Sequence, residues 1–172
     1  PVEAELKKIY YASLLDAIKE LPRKTRKIIM NIVGMEIDME NCMIALSRYI
    51  YDYSAHLIEN MLISTTYRLP LDALIRVITL REKDAILQCL APYSDLAEKM
   101  IEEGELEAFI YLNRRILKKL DRIRLSIFMD LSYVFYYIKL AEFEWRDLST
   151  CAYSIYHRIP FEEYEKYLIL VP

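Results

Sequence analysis

Gly34-Met35-Glu36-Ile37-Asp38-Met39-Glu40-Asn41-Cys42-Met43-Ile44-Ala45-Leu46-Ser47-Arg48 is the stretch whose reading decides the fold. Glycine accepts a left-handed cap without steric cost, so Gly34 is predicted to end one helix. Asp38 is predicted to cap the next, its carboxylate accepting from the free N–H groups two and three residues on. From there Met39, Met43, Leu46, Ile50, Tyr53, Leu57 and Met61 recur at spacings of four and three, one apolar seam about six turns long. Asp38, Asn41, Arg48, Asp52, His56 and Glu59 fall on the other side and predict a polar face.

The same grammar extends to both ends of the chain. Val2 to Leu21 reads as a helix with Leu6, Ile9, Tyr10, Ser13, Leu14, Ala17 and Leu21 on one side, interrupted by Pro22. A short basic helix from Arg23 to Val33 leads to Gly34. After a break at Ser64-Thr65-Thr66, Pro70 and Asp72 open a helix to about Thr79. Further helices are predicted over Arg81 to Leu90, broken at Pro92, and from Ser94-Asp95 to Glu103, stopped by Gly104. Glu105 to Arg124 is the most regular stretch, about 30 Å long, with Phe109, Leu112, Ile116, Leu120 and Ile123 as its stripe and Ile127 just beyond. Its acidic first turn and basic last turns suit the helix dipole. Asp130 is predicted to cap a helix from Leu131 through Leu140 towards His157, and Pro160 precedes a closing helix over Phe161 to Leu170. Tyr133 to Ile138 is the best strand candidate, but it lies inside a longer helical pattern without flanking turn residues. The expectation is an all-α protein of helical bundle units.

Composition agrees. The chain of 172 residues is 55% hydrophobic and 28% charged, with only two glycines and six prolines. That leaves little material for hairpins or a glycine-rich nucleotide loop. Fifteen tyrosines point to half-buried surfaces such as grooves and interfaces. A net charge of −3 gives no overall electrostatic case for nucleic acid. Cys42, Cys89 and Cys151 lack metal-ligand spacing and read as small core residues in a reducing compartment. The most apolar run, Ile127 to Leu140, is too short and too charged to cross a bilayer. Pro1 opens directly into a helical pattern, which suggests a chain that begins partway through a longer protein.

An acid and a second polar residue recur three apart: Asp38 with Asn41, and Glu144 with Asp147, 106 residues downstream. Each pair shares a helix face and precedes an apolar stripe. Gly34, Glu36, Asp38, Asn41 and Arg48, the Glu102-Glu103-Gly104-Glu105-Leu106 turn and Tyr136-Tyr137-Ile138-Lys139-Leu140-Ala141-Glu142-Phe143-Glu144 follow one another in an order that resembles the central-stalk subunit of rotary membrane ATPases. That subunit is called C in archaeal-type enzymes and d in vacuolar-type ones, and the resemblance covers about residues 25 to 171. The chain departs from it in having room for two helical units rather than three, no glycine between Ser64 and Pro70, and none near His157.

The resemblance implies a funnel-shaped helical socket of pseudo-repeated domains, here residues 1–72 and 73–172. It would have no catalytic site and no cofactor. It would rest on the cytoplasmic end of the membrane ring, receive the rotating axle, and carry torque between those two partners, peripheral to the membrane. Glu36, Asp38, Asn41, Arg48 and Glu144 are its candidate structural or interface motif. Arg114, Arg115, Lys118, Lys119 and Arg122 line one face of the Glu105–Arg124 helix. They read either as a solvated face or as a docking strip for an acidic partner, anionic headgroups or RNA. Neither His56 nor His157 has a second His or Cys at i+3 or i+4, so no metal is expected. The alternative function is a soluble helical scaffold that binds partner helices or peptides through tyrosine-lined grooves.

Overall fold

The computed structural model describes residues 2–124 and 131–171, and among these the protein is all-α, nine α-helices without a strand. The predicted cap at Asp130 and the start of the Ile127–Leu140 run lie outside the described residues. The chain forms two compact units, Pro1–Ala108 and Phe109–Pro172. The division expected after Asp72 falls inside a helix of the first unit.

In the first unit, α1 (Val2–Lys19) ends before Pro22 and α2 (Arg23–Tyr51) starts immediately after it. Then come α3 (Ala55–Met61), α4 (Leu71–Thr79), α5 (Lys83–Cys89), a 3-10 turn (Ala91–Tyr93) and α6 (Ser94–Glu102). α1, α3, α4 and α6 all pack on α2, which is the axis of the unit. Its core residues Ile32, Val33, Met39, Cys42, Ala45 and Leu46 are fully enclosed. Burial of each larger side chain contributes on the order of 1.5–3 kcal/mol.

Two expectations about this helix are corrected. It runs unbroken through Gly34 and Asp38, so neither residue is a cap. It stops instead at Asp52, whose left-handed backbone (φ 53°) separates it from α3, with Ser54 capping α3 through the Leu57 amide. Hydrophobic spacing continues across that break, which is why the seam reads as one helix to Met61.

The face of α1 is corrected as well. Ala4, Tyr11, Leu15 and Ile18 are buried, whereas Leu6, Ile9 and Tyr10 are more than half exposed. An apolar residue stands at nearly every turn of both faces, so periodicity alone does not choose between them.

The boundary between the units falls within α7 (Glu105–Arg124). In the second unit α8 (Leu131–Tyr156) is one continuous helix, and the turn that follows it contains Arg158, whose φ is 57°. The closing helix is shorter than predicted: α9 (Phe161–Tyr164) passes into a 3-10 turn to Tyr167, and Leu168 is extended. Leu168 and Ile169 are buried, as Leu62 and Ile63 are after α3.

Candidate functional site

The sequence places Asp38 and Asn41 one turn apart on α2, and the fold encloses both completely. Facing them is the connection from α3 to α4, which contains no glycine and must still have its buried amides bonded. Asn41 meets Ile63 with both ends of its side-chain amide: Nδ2 donates to the Ile63 carbonyl at 2.9 Å, and Oδ1 accepts from the Ile63 N–H at 2.8 Å. The Asp38 carboxylate accepts from the amides of Tyr67 at 2.7 Å, Arg68 at 2.6 Å and Leu69 at 3.2 Å. A fourth donor is the Tyr93 hydroxyl, at 3.0 Å. Four donors replace the water that a dehydrated carboxylate loses. Burial, with the Asp38 charge beside it, pushes the Tyr93 phenol well above its usual range.

Gly34 belongs to the same assembly for a steric reason. The Tyr67 ring lies against its Cα, and a Cβ there would sit 2.5 Å from the ring's Cγ. A glycine inside a helix costs about 1 kcal/mol relative to alanine; here it lets the loop come onto the helix. The Arg68 guanidinium lies over the same ring, 5.4 Å from its centroid.

The other members of the motif are dispersed. Glu36 is half-buried. Arg48 pairs with Asp52, the residue that ends its helix, and Arg81 reaches the same carboxylate at 3.1 Å. The hydrogen bonds from Arg48 and then Arg81 hold the Asp52 carboxyl below the usual range. Glu144 is exposed on α8.

It is Asp147, its partner in the sequence echo, that grips backbone, accepting from Ile169 N at 2.7 Å and Leu170 N at 2.8 Å. Arg114 holds the same segment from the other side, its Nη2 donating to the carbonyls of Leu168 at 2.8 Å and Val171 at 3.1 Å. Arg114 is thereby committed to the fold of its own unit. Arg115 and Lys119 are half-buried and engaged, while Lys118 and Arg122 are exposed. On α8 the buried Lys139 pairs with Glu142 at 3.0 Å, and Glu142 also holds Arg146 at 2.9 Å.

Sequence reasoning missed Tyr93, Tyr67 and the structural role of Arg114. Tyr93 lies 55 residues from Asp38, and nothing local marks it. Gly34 was the one available hint of Tyr67, since a glycine without a turn signals close approach.

Among the described residues no three His, Cys, Asp or Glu side chains are placed to hold a metal ion, and no helix is long and apolar enough to cross a membrane. A depression on the first unit, lined by Leu15, Ile18, Lys19, Arg26, Met30 and Thr65, is mostly apolar. The arrangement on α2 is chemistry of position: buried acceptors fixing backbone. A family model described as ATP synthase (C/AC39) subunit matches residues 1–167. No curated protein and no solved structure matches the chain.

Proposed function

This chain belongs to the ATP synthase (C/AC39) subunit family, and on that premise we propose that it is a rotor adaptor of a V/A-type ATPase. In this reading it is non-catalytic and needs no cofactor. It couples the rotating axle to the membrane ring, from the cytoplasmic side and peripheral to the membrane. The observation that carries the proposal is the family match along nearly the whole chain. The geometry of the first unit supports it, because a part that conveys torque must not yield where its helices join. Asp38 and Asn41 lock the α3–α4 connection to α2 by six hydrogen bonds.

The experiment is a pull-down of the tagged chain against the detergent-solubilised ring and the stalk subunits, paired with ion-pumping assays on membranes lacking it. Expected are retention by both components and loss of ATP-driven pumping, with ATP hydrolysis by the soluble head retained. Retention by neither component rejects the adaptor. Binding of peptides independent of the ATPase would favour the helical scaffold with tyrosine-lined grooves.

A further inference from the structure

The depression on the first unit has an apolar floor and a cationic rim. Leu15 and Ile18 of α1 and Met30 of α2 form the floor, and Lys19, Arg26 and Thr65 stand exposed around it. Its volume is about 250 Å³. An apolar cavity of about 150 Å³ holds a benzene ring, so there is room for one large side chain. Pockets for whole small molecules and cofactors run from about 300 to 1,000 Å³, which leaves a nucleotide or a full acyl chain too large.

The start of α2 adds charge beside this pocket. Arg23, Lys24, Arg26 and Lys27 are all exposed. The first turn holds no acid, and Pro22 supplies no side-chain cap. The positive end of a helix favours anions, and like charges three and four apart repel, so this turn is electrostatically unfavourable on its own. Asp16 and Glu20 are the carboxylates of the adjoining stretch, and Asp16 is taken by Lys19 at 2.8 Å. Lys7, Lys8, Lys83 and Lys99 each hold a carboxylate of their own unit in the same way. Among the described residues Arg23, Lys24 and Lys27 make no such pair.

The charge and the pocket are continuous. Arg23, Arg26, Lys27 and Met30 follow at i, i+3, i+4 and i+7, one side of α2, so the cations lead into the depression. Arg26 donates from Nε and Nη2 to the Leu21 carbonyl at 3.2 and 2.9 Å, which fixes its guanidinium at the rim and leaves Nη1 for a ligand. Leu15, Ile18 and Met30 offer no ring for a base to stack on, and the whole chain carries a net charge of −3. The anion that fits is therefore a carboxylate attached to an apolar group, which an arginine fork meets in its own plane.

We propose that this pocket seats one aromatic or large aliphatic side chain of another protein, and that carboxylates on either side of it in that protein's sequence meet Arg23, Arg26 and Lys27. An apolar anchor inside a polar rim is how interfaces concentrate their binding energy, and opposite charge across the rim selects the partner and its orientation. The inference rests on the adaptor reading, in which that protein is a neighbour in the ATPase.

The test places a photoreactive benzophenone residue at Thr65, or at exposed Glu82 as control, in the full chain assembled in the purified ATPase. The expected result is a cross-link from position 65 to an aromatic or large aliphatic residue of another subunit that is flanked by Asp or Glu, at least tenfold above the control. Arg23→Glu combined with Lys27→Glu should lower that yield at least tenfold with the helical circular dichroism unchanged, and lysine in place of the partner's flanking acids should restore it. A cross-link to lipid, to nucleic acid, to a second copy or to another part of the same polypeptide overturns the proposal, as does a yield that charge reversal leaves unmoved. Failure of the unmodified chain to assemble with ring and axle overturns the adaptor reading and this inference together. Assembly with a silent position 65 overturns the anchor site alone.

Discussion

α2 and α8 carry the same punctuation and face opposite surroundings. Each is a long helix followed closely by a non-glycine left-handed residue and then by a short helix. Each then holds a buried Leu-Ile segment with a polar side chain 22 residues earlier in the chain. On α2 the grip is deeply buried, and Asp38 adds four bonds to the two made by Asn41. On α8 the corresponding acid is exposed, and the grip is made by the half-buried Asp147 with Arg114 opposite. One local pattern thus serves as a closed joint in one unit and an open one in the other. What covers the helix makes the difference.

The largest effect that can break this comparison is removal of the buried acid. Asp38→Ala strands three amides and a phenol and is expected to cost about 3–5 kcal/mol. Asp147→Ala removes a half-buried acceptor and strands two amides, those of Ile169 and Leu170, where Asp38→Ala strands four donors, and should cost about 1–2 kcal/mol. Urea unfolding of the two variants checks the ordering; equal losses would remove the distinction between a closed and an open grip.

Gly34→Ala comes next. In a free helix it would stabilise by about 1 kcal/mol. Here the added Cβ meets the Tyr67 ring, and the expected result is a loss of about 1–3 kcal/mol, reversed in sign when Tyr67→Ala is combined with it. Thermal melts of the single and double variants decide the point.

Tyr93→Phe removes one donor to Asp38 and should cost about 1 kcal/mol at neutral pH. Its pH dependence is more informative. Burial, then the Asp38 charge, raises the folded phenol above its ordinary value of 10.0. The folded state therefore holds this proton more tightly than the unfolded one. Its contribution is full below pH about 10 and is lost as pH rises beyond that. The variant should show a shallower loss of stability above pH 10 than the parent, read from denaturant titrations at stepped pH.

The smallest difference concerns the helix ends. Arg158→Gly relieves a left-handed backbone and should stabilise by up to about 1 kcal/mol. Asp52→Gly relieves the same strain but gives up the pairs with Arg48 and Arg81, so it should gain less, as melting temperatures would show.

Much of this architecture was legible in the residues. Pro22, Gly104 and Pro160 punctuate the chain where the helices break, because a ring that cannot donate and a backbone that accepts φ of 110° act locally. The start of α7 at Glu105 was legible, with acids in its first turn and bases further along. Gly34 and Asp38 misled because their signals are ambiguous: glycine marks a cap or a close approach, and aspartate a cap or a buried acceptor. The choice depends on Tyr67 and Tyr93, distant in sequence. Arg114 looked like part of a solvated strip for the same reason, since the carbonyls it binds lie 52 to 57 residues away.

By itself, then, the order of residues determined that this protein is built of helices, roughly where they break, and which family its motifs resemble. Propensity, capping and period act over a few residues, so they can be read along the chain. Only the tertiary structure decided which face of each helix is covered and which polar side chains are enclosed. Those outcomes depend on what lies against a helix in space, and a neighbour that is 20 or 55 residues off leaves no mark on the local pattern.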